Sequence, residues 1–476
     1  MIPAPVRTVC TADQMRAAEQ VFLDSHPDVD LMQAAADALT DAAVRMLLGD
    51  ELLEDSAEWL AQQRVLVLAG PGNNGGDGLF AAARLSEAGW LVDVCQVLGT
   101  AHQQGRRAAQ TAGCGEVGLD QIADRHYDLA IDAVLGIGGR PGIPESLIHL
   151  DAVLRESGTA VLAVDLPSGL SADSGEVTTA MHATTTVTFA SAKWCHVGYP
   201  AVTRCGQVIV ADIGVAVDDA DQIDDVADLA RRWPVPGPRS SKYSRGVVGL
   251  DTGSQQYPGA GVLGVLGALR AGAGMVRCVG PDNVRSHVVN RAPSVVCAEG
   301  RVQAWVVGSG WGPAEDNSAR LDRRLADGLP TVVDADALAV LPRRIPENCL
   351  FTPHAGELAG MLGVERAEVE ADPRGHALAG ARMFGATVLV KGSIQWVADP
   401  DGQVSAALPG PGWTGQAGSG DTLAGICGTL LAAGLSAREA ALTGAGIQAL
   451  AASRHPGPYS PDQLADLLPQ VIGDLV

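Results

Sequence analysis

Short apolar runs that end in a carboxylate or a glycine loop, then lead into a helical stretch, recur along the chain. That alternation restricts it to an α/β fold built on parallel sheets. Arg64-Val65-Leu66-Val67-Leu68-Ala69 reads as a buried strand running straight into Gly-Pro-Gly-Asn-Asn-Gly-Gly-Asp-Gly, Gly70 to Gly78, ahead of a helix over Leu79 to Ala88. Strand, glycine loop and helix together present backbone N–H groups to a diphosphate. The spacing is neither that of G-x-G-x-x-G nor that of a P-loop, which would continue Gly-Lys-Ser/Thr. A structural turn needs one or two glycines; this loop has five, with two amides and a carboxylate between them, and so reads as a binding loop. After the strand Leu91 to Val97 and a helix around Gln104 to Ala112, two further strands finish in carboxylates. Leu129-Ala130-Ile131-Asp132 leads to the loop Leu135 to Gly142, and Val161-Leu162-Ala163-Val164-Asp165 leads to Leu166-Pro167-Ser168-Gly169. Ligands of an open parallel sheet sit beyond the carboxyl ends of its strands, so Asn74, Asp132 and Asp165 are expected to face one crevice.

Upstream, Thr11 to Arg45 reads as helical with a break at Ser25-His26-Pro27, and a second acidic helical stretch precedes Arg64. Strands over Thr185 to Ala190 and Gln207 to Ile213 close this first unit. From Val215 to Arg239 the sequence turns Asp-rich and then Pro-rich, which reads as a linker and places a boundary near residue 217, with domains over 1–217 and 218–476. Alternation resumes at Gly246 to Leu250, with strands at Met275 to Val279, Ala304 to Val307, Thr331 to Asp334 and Val388 to Val390, and a hairpin over Ile394 to Val404. Near the end, Gly418-Ser419-Gly420 brings bare N–H groups together ahead of a helix read as starting at Asp421. A helix N-terminus carries partial positive charge and seats a phosphate. An Asp at that mouth repels phosphate, so its work is to take a proton from a hydroxyl approaching phosphorus, and the pair points to phosphoryl transfer.

The formal charge of −22 gives a field that repels nucleic acid and anionic lipid, so a phosphate ligand must be held by local geometry. Nine scattered cysteines with no C-x-x-C pair argue for free thiols in a reducing compartment and against zinc. Without a secretory leader or an apolar run of about 18 residues, the expected location is cytoplasmic and membrane partners are not expected.

Taken in order, these stretches resemble the bifunctional NAD(P)H-hydrate repair enzymes, with an epimerase domain followed by an ADP-dependent dehydratase domain. Gly72 to Gly78 is similar to the epimerase G-N-N-G-G-D-G, and Val164 to Gly169 to its V-D-(I/L)-P-S-G. Asp334-Ala335-Asp336-Ala337-Leu338, Thr352-Pro353-His354 with Gly356-Glu357, Lys391-Gly392-Ser393 and Gly418-Ser419-Gly420-Asp421 follow the dehydratase order. The resemblance spans roughly residues 10 to 475 and implies a Rossmann-like three-layer domain followed by a ribokinase-like three-layer α/β/α domain.

For the first domain the resemblance implies interconversion of the R and S epimers of hydrated NADH or NADPH, with potassium held by Asn74, Asp132 and Ser168. Asn73, Asn74, Gly75, Gly76 and Asp77 would line the hydrated nucleotide, as would Gly136, Ile137, Gly138, Gly139, Arg140, Pro141 and Gly142, and Asp165 would serve the reacting ring as acid/base group. For the second it implies ADP-dependent removal of water from the S epimer, giving the reduced coenzyme, AMP and phosphate, with magnesium accompanying ADP. Ala260, Gly312, His354 and Asp421 would then bind the hydrated nucleotide, and Lys391, Gly392, Ser393, Ile394, Gln395 and Gly420 the adenine nucleotide, with Asp421 as catalytic base. A homo-oligomer is implied by the family alone. Departures from the family pattern fall at Ala35-Ala36, at Leu135 to Gly142, at Trp194-Cys195-His196 and at Ser309 and Trp311. Two other readings compete: a small-molecule kinase, which would need ATP and a compact alcohol, and a non-catalytic dinucleotide-binding protein, which gains little from carboxylates set against phosphates.

Overall fold

The computed structural model describes residues 6–48 and 63–476; the acidic helical stretch expected before Arg64 lies outside them. The chain forms two compact units, Met1–Asp221 and Gln222–Val476.

In the first unit the strands are β1 (Thr8–Cys10), β2 (Arg64–Ala69), β3 (Leu91–Gln96), β4 (Gly115–Glu116), β5 (Leu129–Ala133), β6 (Ala160–Val164), β7 (Thr185–Phe189), β8 (Ala192–Lys193) and β9 (Gln207–Ala211). Seven of them form one sheet in the order β4-β3-β2-β5-β6-β7-β9, and every pairing in it is parallel. β1 pairs in parallel with β8. The order runs outward from β2 in one direction and then restarts at β5 in the other, so the chain reverses between β2 and β5. Such a reversal opens a crevice at the strands' carboxyl ends.

β2 is apolar at every buried position because both of its faces are covered. Val65 and Val67 pack with Leu39 and Leu79 from the helices Leu31–Leu48 and Asn73–Glu87. Leu66 and Leu68 pack with Leu147, Leu150 and Leu154 of Glu145–Glu156. The N-terminal helix Ala12–Ser25 starts at a capping box, in which the Thr11 hydroxyl accepts from the Gln14 N–H and the Gln14 side chain bonds back to the Thr11 N–H.

The second unit contains β10 (Asp221–Ile223), β11 (Val247–Asp251), β12 (Met275–Cys278), β13 (Ala304–Val307), β14 (Thr331–Val333), β15 (Cys349–Phe351), β16 (Thr387–Val390), β17 (Trp396–Ala398) and β18 (Val404–Ala406). They follow the order β12-β11-β13-β14-β15-β16-β17-β18-β10, parallel from β12 to β16. The expected hairpin is β17–β18, antiparallel with Trp396 opposite Ala406. Here the chain reverses between β11 and β13.

One face of this sheet packs on the helices Pro258–Arg270, Ser419–Ala432 and Ala437–Arg454 through Val248, Leu250, Val306, Val332, Leu350 and Leu389. The first two of these helices meet backbone to backbone: a Cβ on Gly425 would lie 2.0 Å from the Gly264 carbonyl oxygen, and one on Gly267 2.2 Å from that of Thr422. On the other face Trp305 lies beneath the Arg324 guanidinium at 4.3 Å.

The stretch read as a linker over Val215 to Arg239 is partly structured. It contains β10 and the helix Val226–Arg232, capped by Asp225, whose Leu229 is fully buried in the second core. Its acidic composition hid a short element with only one buried apolar position.

Candidate active sites

At the reversal of the first sheet, the glycine-rich stretch behaves differently from the loop expected. The helix begins at Asn73, so Asn73 to Gly78 are helical, and only Gly70 to Gly72 form the turn. The glycines also serve packing. A Cβ on Gly75 would sit 2.0 Å from the Gly70 carbonyl oxygen, one on Gly78 2.4 Å from the Ala133 Cβ, and one on Gly76 2.8 Å from the Met32 sulfur. This presses the helix N-terminus, with its unbonded first-turn N–H groups, onto the strand ends. Asn73 lies exposed at that terminus and Asn74 behind it; Gly75, Gly76 and Asp77 are buried.

The loop Gly136 to Gly142 is tied down at both ends. The Ile137 N–H donates to Asp165 Oδ2 at 3.2 Å, and the Gly142 N–H to the Gly169 carbonyl at 2.8 Å. Gly136 leaves room for Asn74, since a Cβ there would meet Asn74 Oδ1 at 2.7 Å. The Gly139 N–H bonds the Gly136 carbonyl at 2.7 Å, and Gly138, Arg140 and Pro141 stand exposed at the rim.

Asp165 sits just beyond β6 with a left-handed backbone, φ 65°, a conformation costly for a residue other than glycine and often found at functional sites. Its buried carboxylate accepts from the Thr188 hydroxyl at 3.0 Å and lies 2.9 Å from the fully buried Lys193 ammonium. Burial pushes the Asp165 carboxyl up, but the Lys193 charge and these hydrogen bonds outweigh it and hold the group below its usual value. It is therefore a carboxylate, competent as a base.

Asp132, fully buried, accepts from the Ser168 N–H at 2.8 Å and the Ser168 hydroxyl at 2.6 Å. Burial raises it to about 6 against those hydrogen bonds. The Ser168 hydroxyl also accepts from the Leu135 N–H at 2.9 Å. Among the described residues no Lys or Arg pairs with Asp132, and the buried Asn74 side-chain nitrogen has no hydrogen-bond partner. An unneutralised carboxylate beside a hydroxyl and an amide is a hard-oxygen donor set that fits an alkali cation.

In the second unit, loops at the ends of β13, β15 and β16 converge around Asp334, which follows β14. Its carboxylate accepts from Ser309, Thr352 and Lys391, each at 2.8 Å. Gly308 permits this closeness, because a Cβ there would fall 2.0 Å from the Asp334 carbonyl oxygen. The Lys391 ammonium also lies 3.8 Å from Glu357 and 3.2 Å from where a Cβ on Gly420 would be.

The helix that follows runs Ser419–Ala432, two residues earlier than read, with Gly418 in the left-handed region at φ 95°. The Ser419 N–H is used on the Gln416 carbonyl. The donors left without a carbonyl four residues back inside the helix are therefore those of Gly420 and Asp421. Asp421 sits in this first turn; burial and then the Asp334 charge push its carboxyl up to about 7, opposed by Lys391.

A cavity of about 530 Å³ is lined by His354, Lys391, Gly392, Ser393, Ile394 and Trp396 among others; Gln395 follows in the same strand entry with its side-chain oxygen buried and unpartnered. A second, of about 520 Å³, is lined by Gly312, Asn317 and Asp336, and the Gly312 N–H donates to Asp336 at 2.8 Å. Ala260 is buried beside it, under Gly310. His354, grouped by sequence with Gly312, thus lines the cavity of the Lys391 stretch. Its Nδ1 accepts from the Glu357 N–H at 3.1 Å and caps the helix Ala355–Leu362, while Nε2 lies 3.4 Å from the Glu357 carboxylate.

Lys193, Asp334 and Glu357 went unnoticed as site residues. One signal was available: only three of the 33 basic residues are lysines, Lys193, Lys242 and Lys391, and two of these pair with strand-end aspartates.

Residues 248–472 match the NAD(P)H-hydrate dehydratase family and residues 28–195 the YjeF-related protein N-terminus family. The bifunctional NAD(P)H-hydrate repair enzyme of Mycobacterium tuberculosis is 38% identical over 451 residues, covering 92% of this chain and 91% of that protein. The corresponding enzyme of Mycobacterium leprae is 38% identical over 461 residues, with 93% and 94% covered. Among solved structures, the ADP/ATP-dependent NAD(P)H-hydrate dehydratase of Bacillus subtilis, co-crystallised with ATP and Mg2+, aligns with a TM-score of 0.50 at 25% identity, covering 53% of this chain and 98% of that one. Two family matches in the expected order, and relatives that span nearly the whole length, lead to one conclusion: the chain belongs to the bifunctional NAD(P)H-hydrate repair enzymes.

Proposed function

We propose that the chain repairs hydrated NADH and NADPH, its N-terminal part interconverting the R and S hydrates and its C-terminal part dehydrating the S hydrate at the expense of ADP or ATP. The observation that carries this reading is the setting of Asp421: a half-buried carboxyl in the first turn of a glycine-led helix, near the Lys391 ammonium and the cluster that Asp334 gathers from four strand ends. Hydroxide leaves poorly at neutral pH. Asp421 takes the substrate hydroxyl's proton as the hydroxyl attacks phosphorus, and the Gly420 and Asp421 N–H groups face the oxygens of the transferring phosphoryl. The phosphate ester so formed is a good leaving group, expelled by the ring nitrogen's electron pair, and the adjoining ring carbon of the resulting iminium loses a proton to give the reduced coenzyme; phosphate and AMP are released when ADP is the donor. A carboxyl near 7 is poised for this task at neutral pH.

Lys391 to Gln395 with Gly420 hold the adenine nucleotide, and Ala260, Gly312 and His354 hold the hydrated one. Magnesium bound with the nucleotide supplies charge neutralisation at the phosphates. In the N-terminal part, Asn73 to Asp77 and Gly136 to Gly142 line the hydrated nucleotide and Asp165 is the base. Asn74, Asp132 and Ser168 hold potassium, whose charge favours a diphosphate in an otherwise acidic protein.

The test is recovery of reduced-nicotinamide absorbance from the purified S hydrate with ADP or with ATP. Stoichiometric recovery with AMP and phosphate formed from ADP is expected. No recovery with either nucleotide would overturn the dehydratase reading.

A further inference from the structure

The crevice of the first sheet contains a carboxyl group that has so far been given only a lining role. Asp77, one turn into the helix Asn73–Glu87, is 8% exposed, and no hydrogen-bond donor or cation among the described residues meets its side chain. The charged groups facing it are all acidic, Asp165, Glu19 and Asp30, while the His102 ring packs against the neighbouring Gly76. Burial and then these charges push Asp77 up to about 8. Asp165 has the opposite surroundings, with an ammonium, a hydroxyl and a backbone N–H on its carboxylate. Glu19 also borders the crevice, and burial raises its carboxyl too, but it is only partly buried and the Lys193 and Arg16 charges oppose the rise. Two carboxyl groups in one site, driven to opposite protonation states, form an acid/base pair.

We infer that Asp77 is the proton donor of the epimerisation, acting with Asp165 as base to open and reclose the hydrated ring. This rests on the epimerase reading of the crevice. In the hydrate, the reacting carbon bears both the hydroxyl and the ring nitrogen. The Asp165 carboxylate removes the hydroxyl proton, and the O–H electron pair becomes the second bond of an aldehyde. The carbon–nitrogen bond breaks, and its electron pair stays on nitrogen, which takes the Asp77 proton. Rotation about the adjoining carbon–carbon bond turns the other aldehyde face toward nitrogen. Reclosure reverses each transfer: the carbon–nitrogen bond re-forms, nitrogen returns its proton to Asp77, and the alkoxide recovers one from Asp165. Nothing is oxidised or consumed. Both carboxyls end as they began, so one resting enzyme serves either epimer, as an interconversion requires.

The test uses the full chain and purified single epimers, following interconversion chromatographically, with ADP-dependent dehydration of the S hydrate as the control. Wild type should lose epimerase kcat/KM as pH rises through about 8. Asp77→Asn should lower kcat by about 100-fold or more with little change in KM, lack that alkaline limb, and dehydrate normally. Asp77→Glu should retain partial activity with the limb displaced, and it decides the matter if the Asn variant fails to fold. A wild-type rate in Asp77→Asn, an alkaline limb that survives the Asn change, or a limb unmoved by Glu would overturn the assignment. Absence of interconversion in the wild type would instead strike the epimerase reading itself.

Discussion

Dehydration should titrate with Asp421, because that carboxyl must be ionised to take a proton and the fold makes ionisation hard. Burial and the Asp334, Asp336 and Glu357 charges raise it to about 7 and Lys391 pulls it back. At that value the ionised fraction is about 0.9 at pH 8 and about 0.09 at pH 6, so kcat/KM for the S hydrate should fall roughly tenfold over those two units. The sign is fixed: a base with a raised value loses activity as pH falls through it. A bound diphosphate adds negative charge and moves the limb to higher pH to the extent that magnesium leaves that charge unneutralised. Asp421→Asn should cost about 10²–10⁴ in rate, or ~3–5 kcal/mol of barrier, and the residual rate should show no limb near neutrality. The assay is the return of reduced-nicotinamide absorbance with ADP, run from pH 5.5 to 8.5. A flat wild-type profile, or an Asn variant above a tenth of wild-type rate, would refute the role given to Asp421.

Other consequences concern each unit separately. Asp165→Asn should abolish interconversion of the epimers while leaving ADP-dependent dehydration intact; loss of both in folded protein would break the division of labour. Asp132→Asn should remove any stimulation of epimerisation by potassium over tetramethylammonium, and a wild type indifferent to the cation would contradict the Asn74, Asp132 and Ser168 assignment. Gly425→Ala drives a methyl to within 2.0 Å of the Gly264 carbonyl oxygen. Overpacking of about 2–3 kcal/mol should lower the melting temperature of the second unit by roughly 4–12 °C; an unchanged melt would show that the two helices can part freely.

The strands and their order of appearance were legible because fully covered parallel strands must be apolar throughout, as Val65 to Ala69 and Ala304 to Val307 are. The strand-end carboxylates were legible too, since a lone Asp closing such a run stands out. Glycines hid the helix start where they can serve two purposes. Gly75, Gly76 and Gly78 read as ligand-binding loop, yet they are helical and absent of side chains so that a helix can press onto β2 and β5. Helix starts slipped for the same reason at Gly418 to Asp421. What a linear reading could not supply is who faces whom. Lys193 against Asp165, or Asp334 gathering Ser309, Thr352 and Lys391, joins residues from separate strand ends. Their charge states follow from that meeting and not from local sequence.

The central claim is that one polypeptide inverts a stereocentre and then activates the resulting alcohol for expulsion. Purified R hydrate, free of the S form, incubated with the full chain and excess ADP tests it most directly. Complete regeneration of the reduced coenzyme, with one AMP formed per hydrate and with regeneration falling to the spontaneous epimerisation rate in Asp165→Asn, is expected. Recovery from the R hydrate that is unaffected by Asp165→Asn, or none at all when the S hydrate is readily repaired, would contradict it.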